Sequence, residues 1–145
     1  MMEIKNIEKF SEINAILNFL IYECKINSLC KISFLALSIY DNNFKLPALI
    51  GGVNKYELIQ KLIKHTNIKE LSLNENYTYI LNNLKVLEDC NYIKINNGII
   101  ITKKDSVYYD YNNCKYLTNE LKHSLLKEIN SFSDESFLSE VIKYA

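Results

Sequence analysis

The polar side chains best suited to contact a nucleic acid or a partner protein lie between residues 82 and 104. They are Asn82, Lys85, Lys94, Asn96, Asn97, Lys103 and Lys104. Lysine neutralises phosphates, and asparagine can bind base edges or phosphates. Acidic residues interrupt the same part of the chain at Glu75, Glu88 and Asp89, and they would repel a phosphate backbone. The residue types therefore suit weak DNA contact or contact with a protein.

Catalytic chemistry finds little support in the sequence. The two histidines, His65 and His123, each follow a lysine, and no Gly-rich phosphate loop, GxSxG or HExxH pattern occurs. Glu88 and Asp89 are adjacent on a predicted helix, so their side chains diverge by about 100° and cannot share a proton or a metal ion. Gly51–Gly52 is interpreted as a loop hinge. We expect a protein that is not an enzyme and that uses no cofactor or metal.

The four cysteines indicate the compartment. Cys24, Cys30, Cys90 and Cys114 are widely spaced, without a CxxC pair, and are predicted to be free buried thiols of a reducing cytosol. The first residues carry alternating charges instead of the apolar core of a signal peptide. No run approaches the roughly 20 apolar residues of a membrane span. The sequence predicts a cytoplasmic protein without membrane contact.

Composition favours one mostly helical domain over residues 1–145. The apolar share is 48%, and the chain has only three Gly and one Pro, which is too few for a many-turned β fold. Seventeen basic residues, all of them Lys, balance seventeen acidic ones. This neutrality weakens the case for bulk attraction to nucleic acid.

Apolar spacing predicts three helices in the first half of the chain. The first covers residues 11–25 with Ser11 as N-cap, and the second is a buried helix over residues 27–40, whose length would also permit a strand. Residues 41–53 are predicted to be a loop with one short strand at 48–50. A third helix, capped by Asn54, extends to about His65.

In the second half, a fourth helix over residues 77–90 leads directly into a hairpin. Asn96-Asn97-Gly98 separates two β-branched runs, which is a strong hairpin signal because Asn and Gly tolerate positive φ. A tyrosine-rich linker follows. A helix capped by Thr118 and a final helix from about Asp134 complete the chain, the latter predicted to bury Phe137, Leu138, Val141 and Ile142.

The order of elements predicts a fold that is mostly α with a small β-hairpin (α+β). Helix, loop, helix and hairpin follow one another as in a winged-helix module. The predicted winged-helix-like core spans about residues 54–105, with an N-terminal helical part at 6–53 and C-terminal helices at 106–145. The hairpin is expected to lie against the helices in a small three-element sheet.

Two stretches resemble the small middle components of ABC three-component systems, the Lamassu-type anti-phage defence modules. They are KISFLALSIYDNNFKLPAL at residues 31–49 and YTYILNNLKVLEDCNYIKINNGIIITKKD at residues 77–105. The apolar C-terminal helices also match. The chain departs from the family at residues 41–44, where a basic turn is usual, and at Ser38, where Pro is common.

The resemblance implies a non-enzymatic accessory subunit that binds an SMC-like ATPase and bridges it to an effector subunit through protein contacts. The alternative, suggested by the helix-to-hairpin order and the hairpin lysines, is a winged-helix DNA-binding regulator or a plasmid or phage accessory protein. Both functions would use the seven polar residues between 82 and 104.

Overall fold

The computed structural model describes residues 4–42, 57–66, 71–104, 114–129 and 132–144. Within them lie six α-helices and one antiparallel hairpin, which confirms a mostly helical α+β fold. The elements are α1 (Ile4–Asn18), α2 (Leu29–Asp41), α3 (Glu57–His65), α4 (Glu75–Asp89), β1 (Ile93–Asn96), β2 (Ile99–Thr102), α5 (Asn119–Glu128) and α6 (Asp134–Lys143). A π-helical turn, Phe19–Glu23, continues α1, and a 3-10 turn, Leu71–Leu73, precedes α4.

Helix α2 lies at the centre of the molecule. Every residue from Lys31 to Ile39 is buried, and the helix packs against α1, α3 and α4. A helix that is apolar on nearly all sides must be covered on all sides. The predicted buried helix is therefore confirmed, and the strand that its length also allowed is not formed.

Side-chain caps fix where four helices begin. Ser28, Asn74, Thr118 and Ser133 each accept a hydrogen bond from the backbone N–H three residues on, at 3.1–3.3 Å. The cap predicted at Thr118 is confirmed. The cap predicted at Ser11 is wrong, because α1 begins at Ile4 and Ser11 lies exposed within it.

Helix α6 buries less than predicted. Its one buried residue is Phe137, whose ring meets those of Phe34 and Phe132 edge to face, with centroids 5.7 and 6.2 Å apart. Leu138 and Ile142 are exposed, contrary to the prediction, and Val141 is half-buried. Because α6 packs against the rest of the molecule along one narrow side, apolar residues on its other faces stay exposed to solvent.

The hairpin turn has the geometry that Asn-Gly predicts. Asn97 and Gly98 both have positive φ, at 52° and 76°, and Asn96 pairs with Ile99 across the turn. A third chain segment, residues 27–29, flanks β2 on the side away from β1. There, Ile100 N–H donates to Asn27 C=O at 2.7 Å, and Leu29 N–H donates to Gly98 C=O at 2.9 Å.

Some predicted features lie outside the described residues: the strand at 48–50, the Asn54 cap and most of the tyrosine-rich linker. Among the described helices, none combines the length and apolarity that a membrane crossing requires.

A buried carboxylate joins α5 to α3. Glu128 is buried, and its Oε1 accepts a hydrogen bond from Leu58 N–H, at 3.1 Å, in the first turn of α3. Burial raises the pKa of Glu128, the Leu58 bond lowers it, and the nearby Glu57 raises it further. The carboxylate therefore caps α3 at a cost in desolvation.

Replacing Glu128 with Gln should change how stability depends on pH. A folded-state pKa above the unfolded value, which is about 4.3, gives stability that is fully present below the unfolded pKa. This stability is lost as pH rises through the folded pKa. We therefore expect the wild type to lose stability relative to Glu128→Gln as pH increases from about 4, measured by urea unfolding at several pH values.

Two variants serve as controls for that measurement. Glu120→Gln changes an exposed residue of the same helix and should leave the pH profile parallel to the wild type. Glu128→Ala removes the acceptor for Leu58 N–H and should lower stability by about 1 kcal/mol. Parallel wild-type and Glu128→Gln profiles would contradict a raised pKa at Glu128.

Candidate interaction surface

All seven residues selected from the sequence are exposed, but they do not form one cluster. Asn82 and Lys85 lie on the outer side of α4. Lys94 and Asn96 belong to β1, with Asn97 at the turn. Lys103 and Lys104 follow β2 and are also exposed. The structure therefore places two of the seven residues on α4 and the other five on the hairpin or directly after it.

The outer face of the hairpin combines apolar and polar side chains. Lys94 pairs with Ile101 and Asn96 pairs with Ile99, so strand alternation places these four on one face. The opposite face carries Ile93, Ile95 and Ile100, which pack against the core. Ile99 and Ile101 are each 43% exposed. We call Lys94, Asn96, Ile99 and Ile101 the outer hairpin face.

Glu88 anchors the hairpin to α4. Its Oε2 accepts a hydrogen bond from Ile95 N–H at 2.8 Å, on the edge of β1 that faces away from β2. Carboxylates at the end of a helix are expected to be solvated, as the sequence of Glu88 and Asp89 suggests, but Glu88 is half-buried. The bond occupies an edge donor that an exposed strand would otherwise present to other chains. Asp89 is exposed, as expected.

Lys104 folds back over the base of the hairpin. Its Nζ lies 4.3 Å from the centre of the Tyr92 ring and donates to Cys90 C=O at 3.4 Å. Both contacts are exposed and therefore weak. Lys104 thus has contacts within the chain, whereas Lys94 and Lys103 point their charge to solvent.

The start of α4 is occupied by a carboxylate from α2. Asp41 accepts a hydrogen bond from Asn74 Nδ2 at 3.1 Å and another from Asn76 Nδ2 at 2.6 Å. The positive end of a helix is where a bound phosphate would gain most. Here Asp41 is bound to two side-chain amides beside the first turn, and its negative charge disfavours phosphate binding at this helix end.

The solvent-facing side of α4 combines polar and apolar residues. Leu81 and Val86 are each 40% exposed and flank Asn82 and Lys85. Its charged exposed residues are Glu75, Lys85 and Asp89, so acids outnumber bases. A helix that enters the major groove needs basic and amide side chains along the contact side. This surface is better suited to a protein.

The two histidines lie on separate helices, His65 in α3 and His123 in α5, and both are exposed. Among the described residues, no three His, Cys, Asp or Glu side chains lie close enough to hold a metal ion. Burial raises the pKa of Cys24 to about 12 and also raises the pKa of the half-buried Cys114, which keeps these two thiols protonated and weakly nucleophilic.

The cysteines are all free, but not all are buried. Cys24 is buried and Cys114 half-buried, whereas Cys30 and Cys90 are exposed. The prediction of four buried thiols was therefore wrong for two of them. Cys30 lies in the first turn of α2 and Cys90 at the end of α4, where helix ends meet solvent.

Sequence reasoning missed the two isoleucines of the outer hairpin face. A two-residue turn at Asn97-Gly98 fixes the pairing of Asn96 with Ile99, and from that register the faces follow by alternation. The turn signal could therefore have placed Ile99 and Ile101 beside Lys94 and Asn96. No pattern in the sequence indicated the hydrogen bond from Ile95 N–H to the Glu88 carboxylate.

Comparison with known proteins gives no relative to extend this description: neither a protein-family model, nor a curated protein, nor a solved structure matches the chain.

Proposed function

We propose that this chain is a non-enzymatic accessory subunit that binds a partner protein through the outer hairpin face. The observation that carries the proposal is the exposure of Ile99 and Ile101 on a strand whose other face is anchored in the core. Exposed aliphatic residues beside polar ones, on a rigid element, are suited to a protein contact with a polar rim.

Backbone pairing supports a winged-helix-like arrangement for the interaction module. Helix α4 leads into β1 and β2, and the segment at Asn27–Leu29 flanks β2 on the side away from β1. The sheet itself has two strands, and this segment adds one isolated bridge between Ser28 and Ile99, which is compatible with the predicted three-element arrangement. The module would include residues from about 27 onward, because the third segment and α2 precede residue 54.

The resemblance to middle components of Lamassu-type systems supplies the partner in this proposal. An SMC-like ATPase would bind the accessory subunit, which would in turn contact an effector subunit in the cytoplasm. The balanced charge of 17 basic and 17 acidic residues is compatible with such a bridging role. The carboxylate at the start of α4 also favours a protein over DNA as the partner.

Co-expression tests the proposal. We expect a tagged chain, produced together with the products of its neighbouring genes, to co-purify with an SMC-like ATPase in a complex of fixed stoichiometry. Light scattering during size-exclusion chromatography measures that stoichiometry. Recovery of the chain only as a lone monomer, with the ATPase expressed and soluble, would contradict the proposal.

DNA binding is the second candidate, and the exposed lysines near the hairpin favour it. If Lys94, Lys103 and Lys104 each contact a phosphate, the logarithm of the binding constant should fall with the logarithm of salt concentration with a slope of about −2.7. Fluorescence anisotropy with mixed-sequence and operon-promoter duplexes measures it. Under the protein-contact proposal, we expect no binding to either duplex even at about 50 mM salt.

A further inference from the structure

The turn of the hairpin carries a chemically reactive pair of residues. Asn97 is the one asparagine in the chain that is followed by glycine. The backbone nitrogen of the following residue can attack an asparagine side chain, which closes a five-membered imide ring. Glycine permits this attack best, because it has no Cβ to shield its nitrogen or to restrict its backbone. Asn97 and Gly98 are therefore the residue types of a deamidation site.

Both reacting groups are accessible and make no competing contacts. Asn97 and Gly98 are exposed, and the Asn97 side chain has no hydrogen bond to any residue that the structure describes. Gly98 N–H donates to no backbone carbonyl in the same part of the chain. A Cβ built on Gly98 would have no atom within 4 Å apart from its chain neighbours. Water and base can therefore reach the turn freely.

The closed turn keeps the two reacting atoms apart. Asn97 and Gly98 have φ values of 52° and 76°, in the left-handed region. In that region ψ is about +30° to +60°. At such a ψ the Asn97 side chain and the Gly98 nitrogen lie on opposite sides of the bond between Cα and C. The imide ring can therefore close only after this bond rotates, which opens the turn.

A hydrogen bond from α2 restrains that opening. Leu29 is the first residue of α2, and its N–H donates to Gly98 C=O at 2.9 Å. Gly98 directly follows the bond that must rotate, so this contact has to break when the turn opens. The pairing of Asn96 with Ile99 has to break as well. The Leu29 bond therefore limits how often Asn97 reaches the reactive conformation.

We infer that Asn97 is a deamidation site whose rate is set by the hydrogen bond from Leu29 N–H to Gly98 C=O. The Gly98 nitrogen loses its proton to base and forms a bond to Asn97 Cγ. The bond between Cγ and Nδ2 breaks, and Nδ2 takes up a proton and leaves as ammonia. Water then opens the imide at either carbonyl. Opening at Cγ gives aspartate, and opening at the backbone carbonyl gives isoaspartate, whose main chain runs through Cγ.

Isoaspartate at position 97 disrupts the outer hairpin face. It adds a methylene to the main chain inside a two-residue turn and places a carboxylate there, so Asn96 and Ile99 lose their register. Ile99 and Ile101 then no longer lie on one rigid face. The loss of partner binding that follows rests on the proposed function, whereas the covalent change does not.

Mass spectrometry of the native chain tests the modification site. After incubation at mildly alkaline pH, we expect a gain of one mass unit, from replacement of NH2 by OH, and fragmentation should locate it at Asn97. Asn96 is the matched control, because it is also exposed but is followed by asparagine, and it should stay unchanged. Asn97→Gly keeps a residue suited to positive φ and removes the reactive amide, so it should show no gain at this position.

The urea-unfolded chain shows the reaction without the restraint of the turn. It should gain the same mass unit at Asn97, and faster than the native chain. A gain at Asn97 in the unfolded chain, with none in the native chain over the same period, would overturn the inference. Reaction of the native chain at Asn96 as fast as at Asn97 would also overturn it.

Two substitutions of Leu29 test the restraint from α2. Leu29→Pro removes the N–H, and proline suits the first residue of a helix. Ser28, with φ −84° and ψ 120°, already has the extended backbone required before proline. Leu29→Ala is the matched control, because it loses the side chain but keeps the N–H. Deamidation should be about two- to tenfold faster in Leu29→Pro than in Leu29→Ala, as expected from the loss of one hydrogen bond. Equal rates in the two folded variants would refute the role of Leu29.

The wild type provides the same test without a substitution. Urea at concentrations too low to unfold the chain should increase hydrogen exchange at the Leu29 amide and deamidation at Asn97 in proportion. The isoaspartate product, separated by ion exchange, should lose the exchange protection of Ile100 N–H. Asn97→Asp adds the same charge without lengthening the main chain and should keep that protection. Deamidation that does not follow Leu29 exchange, or wild-type protection of Ile100 in the isoaspartate product, would contradict the inference.

Discussion

Replacing Ile99 and Ile101 together with threonine is expected to weaken binding to the co-purified partner by about 100-fold. Each isoleucine is 43% exposed in the isolated chain, and covering such a side chain at the centre of an interface can contribute 1–2 kcal/mol or more. Threonine keeps the β-branch that strands favour, so the hairpin should still form. Surface plasmon resonance with the immobilised partner measures the dissociation constant.

The C-terminal helix α6 provides a matched control. Leu138 and Ile142 are also exposed, at 49% and 66%, but they belong to a different element. Threonine at both of these positions should leave the affinity within about threefold of the wild type. Loss of binding in this control, with normal binding by the hairpin variant, would move the contact surface to α6 and contradict the proposed function.

The helices could be predicted because each is encoded by its own local sequence. Residues such as Leu58, Ile59, Leu62 and Ile63 repeat at three- and four-residue spacings, and all four are buried in α3. The Thr118 cap and the Asn97-Gly98 turn also depend on neighbouring residues only. Short-range signals therefore predicted the number and order of the described α-helices and the position of the hairpin.

Errors arose where burial depends on distant parts of the chain. Leu138 and Ile142 are spaced as on one face of a helix. Whether other elements pack against that face depends on the tertiary structure, which local sequence does not indicate. Ser11 was a different kind of error: Ile4, Ile7 and Phe10 before it already repeat at three-residue spacing, so the start of α1 at Ile4 had a local signal that the prediction did not include. Cys30 and Cys90 were misassigned since cysteine is usually buried.

The candidate site was predictable only in part for the same reason. Lysine and asparagine at the hairpin are exposed because polar residues next to a tight turn usually are. The bond between Ile95 and Glu88, and that between Asn27 and Ile100, require the folded arrangement.

A second large effect is expected at an asparagine network between α1 and α4. Asn14 Nδ2 donates to Asn83 Oδ1, and Asn83 Nδ2 donates to Tyr79 C=O at 2.9 Å. Asn18 Nδ2 donates to both Asn14 Oδ1 and Asn14 C=O, at 3.0 and 2.8 Å. All three asparagines are buried. The network links two helices that apolar side chains alone would hold with less specific alignment.

Replacing Asn83 with leucine should destabilise the fold by about 2 kcal/mol. The change leaves Asn14 Nδ2 buried without its partner, which costs about 1–3 kcal/mol, while the size of the side chain is nearly conserved. For a chain of 145 residues this corresponds to a decrease in Tm of about 4–8 °C. Urea unfolding and differential scanning calorimetry measure the two quantities.

The double variant Asn14→Leu/Asn83→Leu tests whether the cost comes from the broken bond. It removes both partners, and Asn18 Nδ2 keeps its bond to the backbone C=O of residue 14, so at least half of the lost stability should return. Asn82→Leu is the matched control: Asn82 precedes Asn83 on the same helix but is exposed, and its replacement should change stability by less than about 0.5 kcal/mol. If Asn83→Leu were as stable as the wild type, or the two leucines destabilised additively, the network would not determine how α1 and α4 pack. The hairpin that follows α4 would then be positioned by apolar packing, by the Glu88 bond and by its backbone bonds to Asn27 and Leu29.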